Sequence, residues 1–169
     1  MRTRSNGFTL IEILVAIGII SIILGIALIK LSVGDPEAKL KQESQRLART
    51  IELADQQAIF QSREVGLLFQ DNYYQYFHYE DQKWLPFDDS LLKKRPIPEE
   101  MEIILNIDGT ETSNQSFSFD KKIPQIILYS SGDWTPFEIT FKFKDNEKLV
   151  YVLSNIKTGK LEIGREANE

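Results

Sequence analysis

Gly7-Phe8-Thr9-Leu10-Ile11-Glu12, followed at once by Ile13–Ile29 (ILVAIGIISIILGIALI), is the stretch on which the reading of this chain turns. The second part is 17 residues with no charge and one hydroxyl, Ser21. Counted from Phe8, the run reaches 22 residues with a single charged member, Glu12. As a helix rising about 1.5 Å per residue it spans roughly 33 Å, enough to cross the hydrocarbon of a bilayer. Everything after Lys30 has the make-up of an ordinary soluble protein.

Three readings compete for this end. Arg2 and Arg4 form a basic leader, and Ser32-Val33-Gly34 is a passable small-x-small cleavage site, as in a secretory signal; the apolar run, however, exceeds the usual 7–15 residues. A plain one-pass anchor, with the arginines held in the cytoplasm, fits the length. Both leave Glu12 unexplained. A carboxylate in a membrane helix costs about 2.5–3.5 kcal/mol at the centre, less near an end, and tends to pair or to mark function. No cation lies within the run. Cutting between Gly7 and Phe8 creates one, because Phe8 then carries a free ammonium that Glu12 of a neighbouring copy can neutralise.

The whole-chain figures hide this asymmetry. The 169 residues suit one domain, or a domain with an appendage. At 42% hydrophobic and 27% charged, the chain is rich enough to bury a core, and its mean hydropathy is only −0.25. Net charge is −5. Without Arg2 and Arg4, 18 basic residues face 25 acidic ones, giving −7. Nothing global favours nucleic acid. Cysteine is absent and His78 is the one histidine, which excludes disulfide scaffolds, zinc fingers, cysteine nucleophiles and two-histidine metal sites.

Beyond the apolar run, Gly34-Asp35-Pro36 predicts a break. Helical periodicity resumes with Leu40, Leu47, Ile51, Ala54 and Ala58 on one stripe, read as a core face. After Ser62 the pattern turns to strands. Val65–Phe69 and Tyr73–Tyr79 flank the turn Asp71-Asn72, and Met101–Ile107 and Gln125–Tyr129 follow. Phe137, Ile139, Phe141 and Phe143 alternate with polar residues, the cleanest period-two signal in the chain. Leu149–Leu153 and Lys160–Ile163 close the list, joined by Thr158-Gly159. Residues 84–98 and 109–124 read as irregular. The fold class is α+β, a long N-terminal helix packed on an antiparallel sheet or small sandwich.

The string GFTLIE at residues 7–12, behind a basic leader and before an apolar run, resembles the class III signal of type IV pilins and type II secretion pseudopilins. Ile127-Leu128-Tyr129-Ser130-Ser131-Gly132, Pro136-Phe137 and Lys157-Thr158-Gly159-Lys160-Leu161 resemble the GspH/FimT group within them, departing at Ser131, where that group leads one to expect proline. The resemblance implies a type IV pilin-like fold with residues 1–7 a cleaved leader and 8–29 a transmembrane assembly helix. It makes 30–62 that helix's periplasmic continuation and 63–169 a β-rich head. It implies cleavage by a prepilin peptidase between Gly7 and Phe8, N-methylation of Phe8, and a docking role for Glu12. The implied function is that of an H-type minor pseudopilin near the tip of a periplasmic pseudopilus in a Gram-negative bacterium. It rests in inner-membrane lipid before assembly, and the implied partners are the major subunit, I-, J- and K-type subunits, and secreted substrate. Glu12 itself argues against the K type, which typically lacks it. The alternative is a FimT-like minor pilin that binds DNA; Lys157, Lys160 and Arg165 are thin for that, with Glu162, Glu166 and Glu169 among them.

The remaining chemistry is sparse. His78, in Tyr73–Tyr79, has no evident nucleophile or orienting partner by spacing and reads as a strand-surface residue; its aromatic neighbours read as sheet packing or a protein interface. Asp88, Asp89 and Asp108 are dispersed and form no D-x-[DN]-x-[DN]-G loop, so no metal is expected. No phosphate-binding loop, nucleophile elbow or dinucleotide fingerprint occurs. The expectation is a structural subunit, with no cofactor and no catalytic residue.

Overall fold

The structure, a computed structural model, describes residues 9–32, 35–87, 90–107, 109–113 and 123–167. Gly7, Phe8, Asp88, Asp89 and Asp108 lie outside them. Two compact units emerge, residues 1–39 and residues 40–169.

In the first unit α1 runs from Leu10 to Ser32. Thr9 starts it: its carbonyl accepts the Glu12 and Ile13 N–H groups at 3.1 and 3.3 Å, and its Oγ1 accepts the Glu12 N–H at 3.3 Å. That is an N-cap, filling one of the donors a helix start leaves open. The described side chains of α1, which end at Ile23, are exposed on every face. Among the described residues no helix is long and apolar enough to cross a membrane; the expected span 8–29 begins at Phe8, one residue before them.

A second helix, α2 (Pro36–Gln61), has a start of its own. The Asp35 Oδ1 accepts the Glu37 N–H at 3.1 Å and the Asp35 carbonyl accepts Lys39 N–H at 3.1 Å, with Pro36 in the first helical position that suits it. From Leu40 onward the helix belongs to the head. The expected stripe of Leu40, Leu47, Ile51, Ala54 and Ala58 is buried, joined by Ser44 and Ala48.

Ten strands follow among the described residues: β1 (Val65–Gln70), β2 (Tyr73–Glu80), β3 (Lys83–Pro86), β4 (Arg95–Pro96), β5 (Met101–Ile107), β6 (Thr110–Ser113), β7 (Ile126–Leu128), β8 (Phe137–Phe143), β9 (Asn146–Ser154) and β10 (Glu162–Ala167). They form two antiparallel five-stranded sheets. The first is ordered β3-β2-β1-β7, with β4 also pairing β2; the second is ordered β10-β9-β8-β5-β6. Both sheets and α2 share one core. Val65, Leu67, Phe69, Tyr74 and Tyr76 enter it from the first sheet; Met101, Ile103, Leu105, Phe137, Ile139, Phe141, Tyr151 and Leu153 enter from the second. Each large apolar side chain so buried contributes about 1.5–3 kcal/mol.

The hairpin at Asp71-Asn72 and the alternation of β8 match the sequence expectation. Three short strands do not. β3 runs from Lys83 into 84–98, β4 falls inside it and β6 falls inside 109–124, both stretches expected to be irregular. Each adds to a sheet edge whose neighbour supplies the order. The last strand begins at Glu162 rather than Lys160, because the Thr158 Oγ1 donates to the Lys160 carbonyl at 3.3 Å and extends the turn.

On the other face of the first sheet, Leu68 and Phe77 are buried outside the shared core. Gly66 pairs with Phe77 there. A Cβ on Gly66 would stand 2.3 Å from the Pro124 Cγ and 2.9 Å from the Trp84 Cζ3, so only glycine fits.

Candidate functional site

Of the residues expected to carry function, Glu12 is the one the structure describes; Gly7 and Phe8 lie outside the described residues. Glu12 occupies the first turn of α1, three residues after the Thr9 cap, exposed. The Thr9-Leu10-Ile11-Glu12 spacing is that of a capping box, a signal legible in the sequence that marks Thr9 as the residue fixing where Glu12 emerges. A carboxylate at a helix N-terminus also meets the positive end of the helix dipole, worth about 0.3–1 kcal/mol at the surface. The arrangement presents one anionic group among side chains that, from Leu10 to Ile23, are otherwise apolar but for Ser21.

The head gathers its aromatic residues for packing. Tyr76 is fully buried, and its hydroxyl shares a 2.8 Å hydrogen bond with the Thr50 Oγ1 of α2. Burial drives the Tyr76 phenol well above its ordinary range and pushes Tyr74 up to about 12, with Arg95 opposing. His78 is half-buried rather than on the strand surface. It lies on the core side of β2, in register with Val65, its ring edge-on to Phe87 at 5.2 Å and its Nε2 3.2 Å from the Glu80 Oε2. The Arg63 Nη1 reaches the same oxygen at 3.5 Å. No hydroxyl nucleophile joins His78 among its described hydrogen bonds. Among the described residues no group of three or more His, Cys, Asp or Glu side chains is placed to hold a metal.

The segments singled out near the end of the chain form two built turns. Tyr129 N–H donates to the Asp133 carbonyl at 2.8 Å, Gly132 takes φ 87°, and the Ser131 Oγ donates to the Asp133 Oδ2 at 2.9 Å. Serine therefore earns its place here through a hydrogen bond that proline could not make. Trp134 ties this turn to α2, its Nε1 donating to the Asp55 Oδ1 at 2.6 Å. In the second turn, Gly159 takes φ 70° and donates to the Asn155 carbonyl at 3.0 Å. Lys157 lines a shallow concavity of about 90 Å³ together with Glu138, Glu162 and Glu166. The cations at this end are thus interleaved with carboxylates, the opposite of a phosphate-binding surface.

Comparison with known proteins places these features. Residues 43–156 match the family described as Type II transport protein GspH, and residues 2–28 match the prokaryotic N-terminal methylation motif. The chain is 30% identical over 159 residues to type II secretion system protein H of Pseudomonas aeruginosa, covering 89% of this chain and 91% of that one. It is 22% identical over 156 residues to type II secretion system protein H of Aeromonas hydrophila, covering 86% and 85%. The fold is similar to the crystal structure of the minor pseudopilin EpsH from the type II secretion system of Vibrio cholerae (TM-score 0.66, 17% identity, 80% of this chain and 99% of that one). It is also similar to the solution structure of GspH from E. coli (TM-score 0.57, 18% identity, 78% and 89%). None of these matches supports the DNA-binding pilin alternative. The helix-on-two-sheets head, the methylation motif ahead of it and the matched length together establish that the chain belongs to the GspH family, the H-type minor pseudopilins of type II secretion.

Proposed function

We propose that this subunit is cut between Gly7 and Phe8 by a prepilin peptidase, is N-methylated on Phe8, and enters a pseudopilus through a pair between Glu12 and the Phe8 ammonium of a neighbour. The observation that carries this reading is Glu12, presented by the Thr9 cap as the one charged side chain described on α1. Residues 8–29 hold the subunit in the inner membrane until extraction, and the head beyond residue 62 works in the periplasm. Leaving lipid for neighbouring helices exchanges one apolar surrounding for another, so packing and the Glu12 pair decide the balance. The role is mechanical rather than enzymatic. Its partners are the major pseudopilin and the I-, J- and K-type subunits near the tip, with secreted substrate as a further contact. Intact mass and N-terminal sequencing of the membrane-extracted protein test the reading. Methyl-phenylalanine at position 8 supports it, whereas a chain starting at Asp35 or retaining Met1 overturns it.

A further inference from the structure

β1 and β7 pair over three residues, Val65↔Leu128, Gly66↔Ile127 and Leu67↔Ile126, and the Leu67 carbonyl accepts the Gln125 N–H at 3.1 Å. In that register the next residue on the same edge of β1, Phe69, falls opposite Pro124. Proline has no N–H to give, and Pro124 packs over Gly66 instead. Both edge groups of Phe69 are taken by a side chain. The Phe69 N–H donates to the Gln125 Oε1 at 2.8 Å, and the Gln125 Nε2 donates to the Phe69 carbonyl at 3.0 Å. A primary amide carries the same donor and acceptor as a peptide group, so Gln125 reproduces the strand residue that Pro124 cannot be.

The edge so closed is a hazardous one. Val65–Gln70 (VGLLFQ) has no charge and no proline, and β7, the strand guarding it, is three residues long. Such short, uncharged, β-prone segments pair readily with copies of themselves. An antiparallel hydrogen-bonded pair exchanges both groups of one residue with both groups of its opposite number, so Phe69 residues related by a two-fold axis satisfy each other. We infer that the Gln125 carboxamide is an edge plug: it saturates the end of β1, keeps β7 fastened, and withholds this strand from pairing with β1 of a second copy of the chain.

Hydrogen exchange on the full-length chain in detergent tests this. In the unaltered protein the Phe69 amide exchanges as slowly as the amides inside β1. In Gln125→Leu it exchanges about tenfold to a hundredfold faster when dilute, the loss expected for two net hydrogen bonds. Raising the protein concentration restores its protection, with sedimentation showing a new dimer. Gln125→Glu, ionised at neutral pH, keeps the acceptor but lacks the donor and also self-associates. A folded variant, judged by its near-ultraviolet signal, that exposes Phe69 yet stays in the association state of the unaltered chain overturns the proposal. So does a Phe69 amide in the unaltered chain that exchanges at the rate of loop residues, whichever variant folds.

Discussion

α1 and α2 are helices of similar length and opposite logic. The described side chains of α1 are exposed whichever way they point, whereas α2 hides one stripe completely and leaves a mostly polar remainder, with Ile59 and Phe60 exposed near its end. The buried stripe of α2 packs into a core shared with two sheets. The apolar surface of α1 is spent on nothing within the described residues, which is the signature of an element built for another environment. One helix folds the head; the other is kept available.

Substitutions can break this contrast directly. Ile51→Ala, at a fully buried position, is expected to cost the head about 2–5 kcal/mol in chemical denaturation. Ile17→Ala in α1 is expected to shift the same transition by less than about 0.5 kcal/mol. Equal effects would erase the distinction. Gly66→Ala tests the second, smaller packing layer behind the first sheet: forcing a Cβ against Pro124 is expected to cost about 1–3 kcal/mol. Asp55→Ala removes the acceptor of the Trp134 indole and is expected to cost about 1.5–3 kcal/mol, read from thermal unfolding together with a change in tryptophan fluorescence.

A pH titration sharpens the role of the helix-facing tyrosines. The Tyr74 phenol keeps its proton more tightly in the fold, up to about 12 against an ordinary 10.0. Its contribution is therefore complete below pH 10 and is lost as pH rises toward 12, where the unfolded chain binds fewer protons. Tyr74→Phe is expected to flatten that alkaline loss. A slope unchanged by the substitution would assign the loss elsewhere. Glu12→Gln supplies the converse of the core variants: head unfolding is expected to stay within about 0.5 kcal/mol of the parent, while incorporation into fibres, counted by cross-linking, drops.

The sequence shows most where a residue's own side chain decides its place. The α2 stripe and the β8 alternation are periodic because burial is periodic, and both are found where expected. The short strands β3, β4 and β6 follow a different cause. Lys83–Pro86 and Arg95–Pro96 contain prolines and charges that argue against strands, yet β2 offers backbone groups for them to complete. Likewise Asn155, buried, accepts the Phe137 N–H on its Oδ1 at 2.8 Å and donates its Nδ2 to the Thr135 carbonyl at 3.2 Å. Gln125 acts as a strand residue through its side chain. No periodicity announces an amide that stands in for a backbone. At the N-terminal end the motif is legible in the sequence, because GFTLIE joins a cap and a charge within six residues; the structure adds the role of Thr9 in fixing the first turn.

Asp35 and Pro36 give α2 a capped beginning of its own. A chain pulled lengthwise unravels first at ends left open, and this end is stitched shut by a carboxylate two residues away. Tension along the polypeptide therefore meets a capped first turn rather than an open one.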